Sequence, residues 1–167
     1  MQIHLMSILV QMHLYAMLSA MVNVTDDAED IAITAWARLI RVSQQALAHV
    51  EERLKKAGLP PLAWYDALLE LRRAGDQGLR PFQLREKMLL EQYNLSRLID
   101  RLADKNLVVK QTCEEDGRGQ VLVITLEGRQ TLKTMWPVYR RAIMDQFAAN
   151  LSDSDCRTLT RLLGKLK

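Results

Sequence analysis

Only one part of this chain reads as β-structure. Residues 107–112, LVVKQT, and 121–126, VLVITL, are two short runs rich in β-branched residues, joined by the tip CEEDGRGQ. That spacing predicts a hairpin. Everything on either side of it reads as helix. The 167 residues include only 7 glycines and 4 prolines and are rich in Leu, Ala, Met, Arg and Glu, which favours helix over strand. The expected fold class is mainly α with a small two-stranded β-hairpin, in a chain long enough to build a core without disulfides or metals.

The helices can be delimited by their end signals. From Thr25, TDDAEDIAITAWARLIRVSQQALAHVEERLKKAG begins with acids at positions 26, 27, 29 and 30 and ends on Lys55 and Lys56. Gly58 can then take the left-handed stop. Ile31, Ala35, Leu39, Val42, Ala46, Val50 and Leu54 recur at helical spacing, so this helix carries an apolar stripe that needs a partner along its whole length. Pro60 and Pro61 start a second helix, PLAWYDALLELRRAG, which stops at Gly75. Trp64 and Tyr65 suit a core or an interface, or else the wall of an apolar, aromatic small-molecule pocket.

After the turn GDQG, Pro81 opens a short supporting helix with Phe82, Leu84 and Met88 as its apolar points. A brief turn leads into EQYNLSRLIDRLADKN, where Leu95, Leu98, Ile99 and Leu102 sit at i, i+3, i+4 and i+7 and make one buried face. The opposite face carries Tyr93, Asn94, Ser96, Arg97, Asp100 and Arg101. Beyond the hairpin, Thr125 caps a helix whose apolar positions Leu132, Met135, Val138, Ile143 and Phe147 extend past Pro137, which predicts a bend near Trp136. In LSDSDCRTLTRLLGKL, Ser152 and Asp155 form a capping box, with Leu151 and Cys156 spaced for a hydrophobic staple.

The net charge of +3, from 23 basic and 20 acidic residues, is too small to imply a polyanionic partner by itself. An isoelectric point of about 9.0 permits one. Cys113 and Cys156 lie far apart without CxxC or His-paired spacing, which predicts neither a zinc site nor a disulfide framework. They read as packing or incidental thiols in a reducing cytoplasm, with redox sensing as the alternative. His4, His13 and His49 form no metal-ligand or nucleophile constellation, and there is no phosphate loop. No metal, cofactor or catalytic site is therefore expected.

The leader, residues 1–24, is mostly apolar and has no Lys or Arg, the first basic residue being Arg38. It lacks the basic start of a secretory signal and is interrupted by Gln11 and His13, so a membrane span is disfavoured. Three readings stay open: a dimer-contact segment, a membrane anchor, or translated sequence upstream of a start at Met21.

Helix, turn, helix, two-stranded hairpin is the order of a winged helix-turn-helix. The hairpin tip is then the wing, where Gly117 and Gly119 allow a sharp turn and Arg118 can be held out toward a minor groove. The polar face of residues 91–104 has side chains that a major groove can receive, with Arg97 and Arg101 one turn apart. Taken alone, those arginines would neutralise Asp100 and Asp104 on a solvated face. Their combination with a preceding short helix and a Gly-Arg-Gly finger favours the nucleic-acid reading.

NLSRLIDRLADKNLV, as recognition helix and exit, and EEDGRGQVLVITLEG, as wing, resemble the MarR (multiple antibiotic resistance regulator) family of winged-helix transcription factors. The resemblance covers most of the chain after Thr25. It implies residues 25–59 as an N-terminal dimerisation helix, 60–126 as the DNA-binding region and 127–167 as C-terminal dimerisation helices. It further implies a cytoplasmic homodimer that binds a pseudo-palindromic operator in double-stranded DNA, usually repressing nearby genes, with release by a small aromatic or phenolic ligand or by cysteine oxidation.

Carried over by position, the resemblance makes Tyr93, Asn94, Ser96, Arg97 and Arg101 candidate DNA contacts, with Arg118 in the minor groove and Asp116 bracing the tip. A ligand would lie near Trp36, Trp64, Tyr65 or Trp136. The chain departs from the family at Gly117, where a second basic residue is common, in the acidic run Glu114, Glu115 and Asp116, at Asn106 in place of glycine, and in its leader. The rival reading is a winged helix that binds protein through the same polar face.

Overall fold

The computed structural model describes residues 28–88, 95–112 and 119–166. Its elements are α1 (Ala28–Lys56), α2 (Leu62–Ala74), α3 (Pro81–Lys87), α4 (Leu95–Asp104), β1 (Val108–Thr112), β2 (Gln120–Ile124), α5 (Leu126–Phe147) and α6 (Asp153–Leu163), with 3-10 turns at Gly75–Gln77 and Gly164–Leu166. Of α1, residues 28–44 belong to one unit and residues 45–56 to the unit that holds the remaining described elements. The leader lies outside the described residues.

The local signals act as their chemistry requires. Gly58, with φ of 67°, ends α1 and turns the chain so that the Leu59 N–H reaches the Leu54 carbonyl at 3.0 Å. α2 begins after Pro61, and its Leu62 N–H donates at 3.1 Å to Oε1 of Glu51 on α1. A carboxylate from the preceding helix therefore satisfies one of the donors a helix start leaves open. Thr125 caps α5: its hydroxyl accepts from the Gly128 N–H at 3.0 Å and donates to the Asn106 carbonyl at 2.7 Å. Asn106 itself takes φ of 56°, the left-handed conformation that suits Asn in place of glycine. α5 continues through Pro137, which removes one internal hydrogen bond without ending the helix. At α6 the Ser152 and Asp155 capping box is present, and its bonds hold the Asp155 carboxyl below its usual range.

The core of residues 45–167 gathers around α2. Leu68 and Leu71 meet Val50 and Leu54 from the end of α1, Leu84 from α3, Leu98, Ile99 and Leu102 from α4, Leu122 and Ile124 from β2, and Leu132 and Met135 from α5. Truncating a fully buried leucine such as Leu102 to alanine should cost about 2–5 kcal/mol through the packing removed and the cavity left behind. β1 and β2 pair antiparallel with Lys110 opposite Leu122. Leu79 adds a one-residue third rung, exchanging hydrogen bonds with Leu122 at 3.0 and 2.8 Å. This rung explains Gly78: a Cβ there would stand 2.4 Å from the Leu122 carbonyl oxygen, and φ is 63°.

One apolar point of α3 faces outward, and much of the α1 stripe is uncovered in a single chain. Phe82 is exposed, whereas Leu84 is fully buried and Met88, just past the end of α3 in extended conformation, packs half-buried against the core. Along α1, Val50 and Leu54 are buried, but Ile31, Leu39 and Val42 are exposed, with Ile31 at 62%. Ile33, Trp36, Ile40 and Leu47 are exposed as well and form a second stripe at helical spacing. A helix apolar on two sides ordinarily lies inside a core.

Candidate nucleic-acid interface

Leu98, Ile99 and Leu102 bury one face of α4, which turns Ser96, Arg97, Asp100, Arg101 and Asp104 outward. Arg97 and Arg101 lie one turn, about 6 Å, apart along the axis. The acid between them is engaged elsewhere. Asp100 accepts a hydrogen bond at 2.6 Å from Nζ of Lys110 on β1. With side chains 59% and 32% exposed, this pair adds little stability. Its position matters more, because it ties α4 to β1 and offsets the acid on a face that carries two arginines. Arg101 has no ion pair among the described residues. Asp100 thus has a cationic partner outside α4, a lysine ten residues away on β1.

Ser96, Arg97 and Arg101 thus share one exposed surface. Tyr93 and Asn94, just before α4, and Asp116 and Arg118, between the two strands, lie outside the described residues, as does Cys113. The strands that carry the wing are placed by the core through Val108, Leu122 and Ile124. Cys156 is a free, half-buried thiol on α6.

Two of the residues proposed for a ligand are in ring contact. Tyr65 and Trp136 come together with ring centroids 6.3 Å apart and planes inclined by 18°, while Tyr139 meets both edge-on at 4.9 and 6.0 Å. Tyr139 is one helical turn beyond Met135 on α5, a relation that its sequence spacing contains but that only the packing of α2 on α5 reveals. Burial raises the hydroxyl pKa of Tyr65 and of Tyr139, and Asp66 raises Tyr139 further. Trp136 stays open to solvent on part of its surface. Trp64 packs half-buried against the core, and Trp36 is 57% exposed on α1, in the other unit. Among the described residues no group of three or more His, Cys, Asp or Glu could hold a metal, and no helix is long and apolar enough to cross a membrane.

Residues 57–119 match the family model described as MarR family. The chain is 29% identical over 119 residues to the HTH-type transcriptional regulator MhqR of Bacillus subtilis, covering 71% of this chain and 79% of that protein. Its fold is similar to that of AbsC, a MarR family transcriptional regulator from Streptomyces coelicolor, with a TM-score of 0.70, 26% identity, and coverage of 85% and 95%. It is also similar in fold to Sco3205, a MarR family regulator of the same organism in complex with DNA, with a TM-score of 0.71, 22% identity, and coverage of 84% and 90%. Residues 57–119 thus match the MarR family, and the order of α2, α3, α4 and the β1–β2 hairpin between long flanking helices is similar to that of its winged-helix transcriptional regulators.

Proposed function

We propose that two copies of this chain form a cytoplasmic dimer that binds a pseudo-palindromic site in double-stranded DNA and represses the genes beside it. The observation that carries this reading is the exposed face of α4. Ser96 and Arg97 sit near its N-terminal end, where recognition helices meet base edges, and Arg101 sits one turn further, within reach of the backbone. Arg118 on the wing would enter the adjacent minor groove. Dimerisation is supported by the two exposed apolar stripes of α1 and by Leu162 and Leu163 on α6, surfaces that a second copy would cover. Two-fold symmetry then sets the recognition helices about one DNA turn, roughly 34 Å, apart.

The aromatic trio supports release by a small aromatic or phenolic ligand, which would stack on the open side of Trp136 and favour one dimer arrangement over another. The test is selection from random duplex DNA with purified protein. Recovery of an inverted repeat bound with a steep salt dependence is the expected result. Enrichment of no sequence would contradict DNA recognition and favour a protein-binding winged helix.

A further inference from the structure

Arg80 is an unusual residue to find at the start of a helix. It stands at the N-cap of α3, where Ser, Thr, Asp or Asn ordinarily offers a side-chain acceptor and a guanidinium has none to give. The helix start is closed by other means. Oε1 of Gln83 accepts from the Arg80 backbone N–H at 2.9 Å, and Pro81 at the first helical position has no N–H to satisfy. The Arg80 side chain is thus not required as a cap.

It lies instead against the base of the wing. A Cβ built on Gly119 would have as its nearest neighbours Cζ of Arg80 at 3.4 Å and both terminal nitrogens at 3.6 Å. Such near-equal distances place the end of the guanidinium over the glycine. Gly119 is where the chain passes from the wing tip into β2, and the next residue, Gln120, pairs with Thr112. On its other side Arg80 follows Leu79, which is hydrogen-bonded in both directions to Leu122. A rigid, planar cation is thereby set between the first helix of the helix-turn-helix, which packs on both α4 and β2, and the strand that leads out of the wing.

We propose that Arg80 is a positioning residue for DNA recognition, its guanidinium over Gly119 fixing the direction of the wing relative to α3 and α4 so that both reach the duplex together. This rests on the DNA-binding reading above. Planarity, rather than charge alone, is the property required, so lysine should not replace it.

The experiment measures dissociation constants on a duplex selected by the wild-type protein for wild type, Arg80→Ala, Arg80→Lys, Arg118→Ala and the Arg80→Ala, Arg118→Ala double variant, with thermal unfolding alongside. Arg80→Ala and Arg80→Lys should each weaken binding about tenfold. The double variant should bind no more weakly than Arg118→Ala, because placement of the wing is immaterial once its arginine is gone. Additive losses with recovery by Arg80→Lys would make Arg80 an independent phosphate contact and overturn the proposal. So would wild-type affinity in Arg80→Ala or in Arg118→Ala. A wild-type protein that selects no duplex would overturn the DNA-binding reading itself, an outcome distinct from all of these.

Discussion

Gly128→Ala is the substitution whose sign separates packing from propensity. Gly128 lies in the first turn of α5, and an exposed helix position would gain about 1 kcal/mol on replacing glycine by alanine. Here the added Cβ would stand 2.2 Å from the Leu107 carbonyl oxygen and 2.8 Å from Cγ1 of Ile124. Backbone must move, since a carbonyl cannot rotate away as a side-chain end can. That same oxygen accepts the Thr125 N–H at 3.1 Å, at the residue that caps the helix. Overpacking costs about 1–3 kcal/mol and a disrupted buried hydrogen bond about 1–3 kcal/mol. Set against the propensity gain, the net loss is about 1–5 kcal/mol. Urea unfolding followed by circular dichroism, at one fixed protein concentration, should show a lower midpoint at unchanged slope. A midpoint equal to or above wild type would refute the close approach of α5 to Leu107.

Three further outcomes follow from the same geometry. Arg101→Ala should flatten the dependence of log affinity on log salt by about 0.9 for each phosphate that the arginine neutralises, read from anisotropy titrations; an unchanged slope would remove Arg101 from the backbone. Leu39→Glu, on an exposed apolar stripe of α1, should lower the sedimenting mass from two copies to one, and an intact dimer would show that this stripe is not the interface. Tyr65 and Tyr139 have raised pKa values, so the folded state holds their protons more tightly than the unfolded chain does. The stability they contribute is present below the unfolded value near 10.0 and is lost as pH rises through the folded values. Phenolate absorbance should show two late-titrating tyrosines, and titration of all tyrosines together at the ordinary value would count against the aromatic cluster.

Much of the fold is legible because its signals are local. Thr125 and Ser152 announce helix starts by the hydroxyl each places before a helical run, and Asn106 and Gly58 mark left-handed exits. The buried and exposed faces of α4 follow from spacing alone. Relations between elements are harder to read. Lys110 finds Asp100 because β1 returns beside α4, and the Leu79 rung is one residue long, too short for a strand pattern. Gly78 is its visible trace, although in the sequence it reads only as part of a turn. Phe82 reads as an apolar point of α3, but it stands about 200° around the helix from Leu84 and so faces away from the core. The second stripe of α1 is legible in principle and masked by the first: Ile33, Trp36, Ile40 and Leu47 repeat as regularly as the set that includes Val50 and Leu54. Tyr139 joins the candidate ligand site only through its ring contacts.

The central claim is that the outward face of α4, in two copies, reads base sequence. The most direct measurement compares the sites selected from random duplexes by wild type and by Arg97→Ala. Wild type should yield an inverted repeat, and the variant should lose preference at the same position in both half-sites while keeping the rest, with affinity for the wild-type site weakened by about 1–3 kcal/mol. An identical preference from both proteins would contradict the claim.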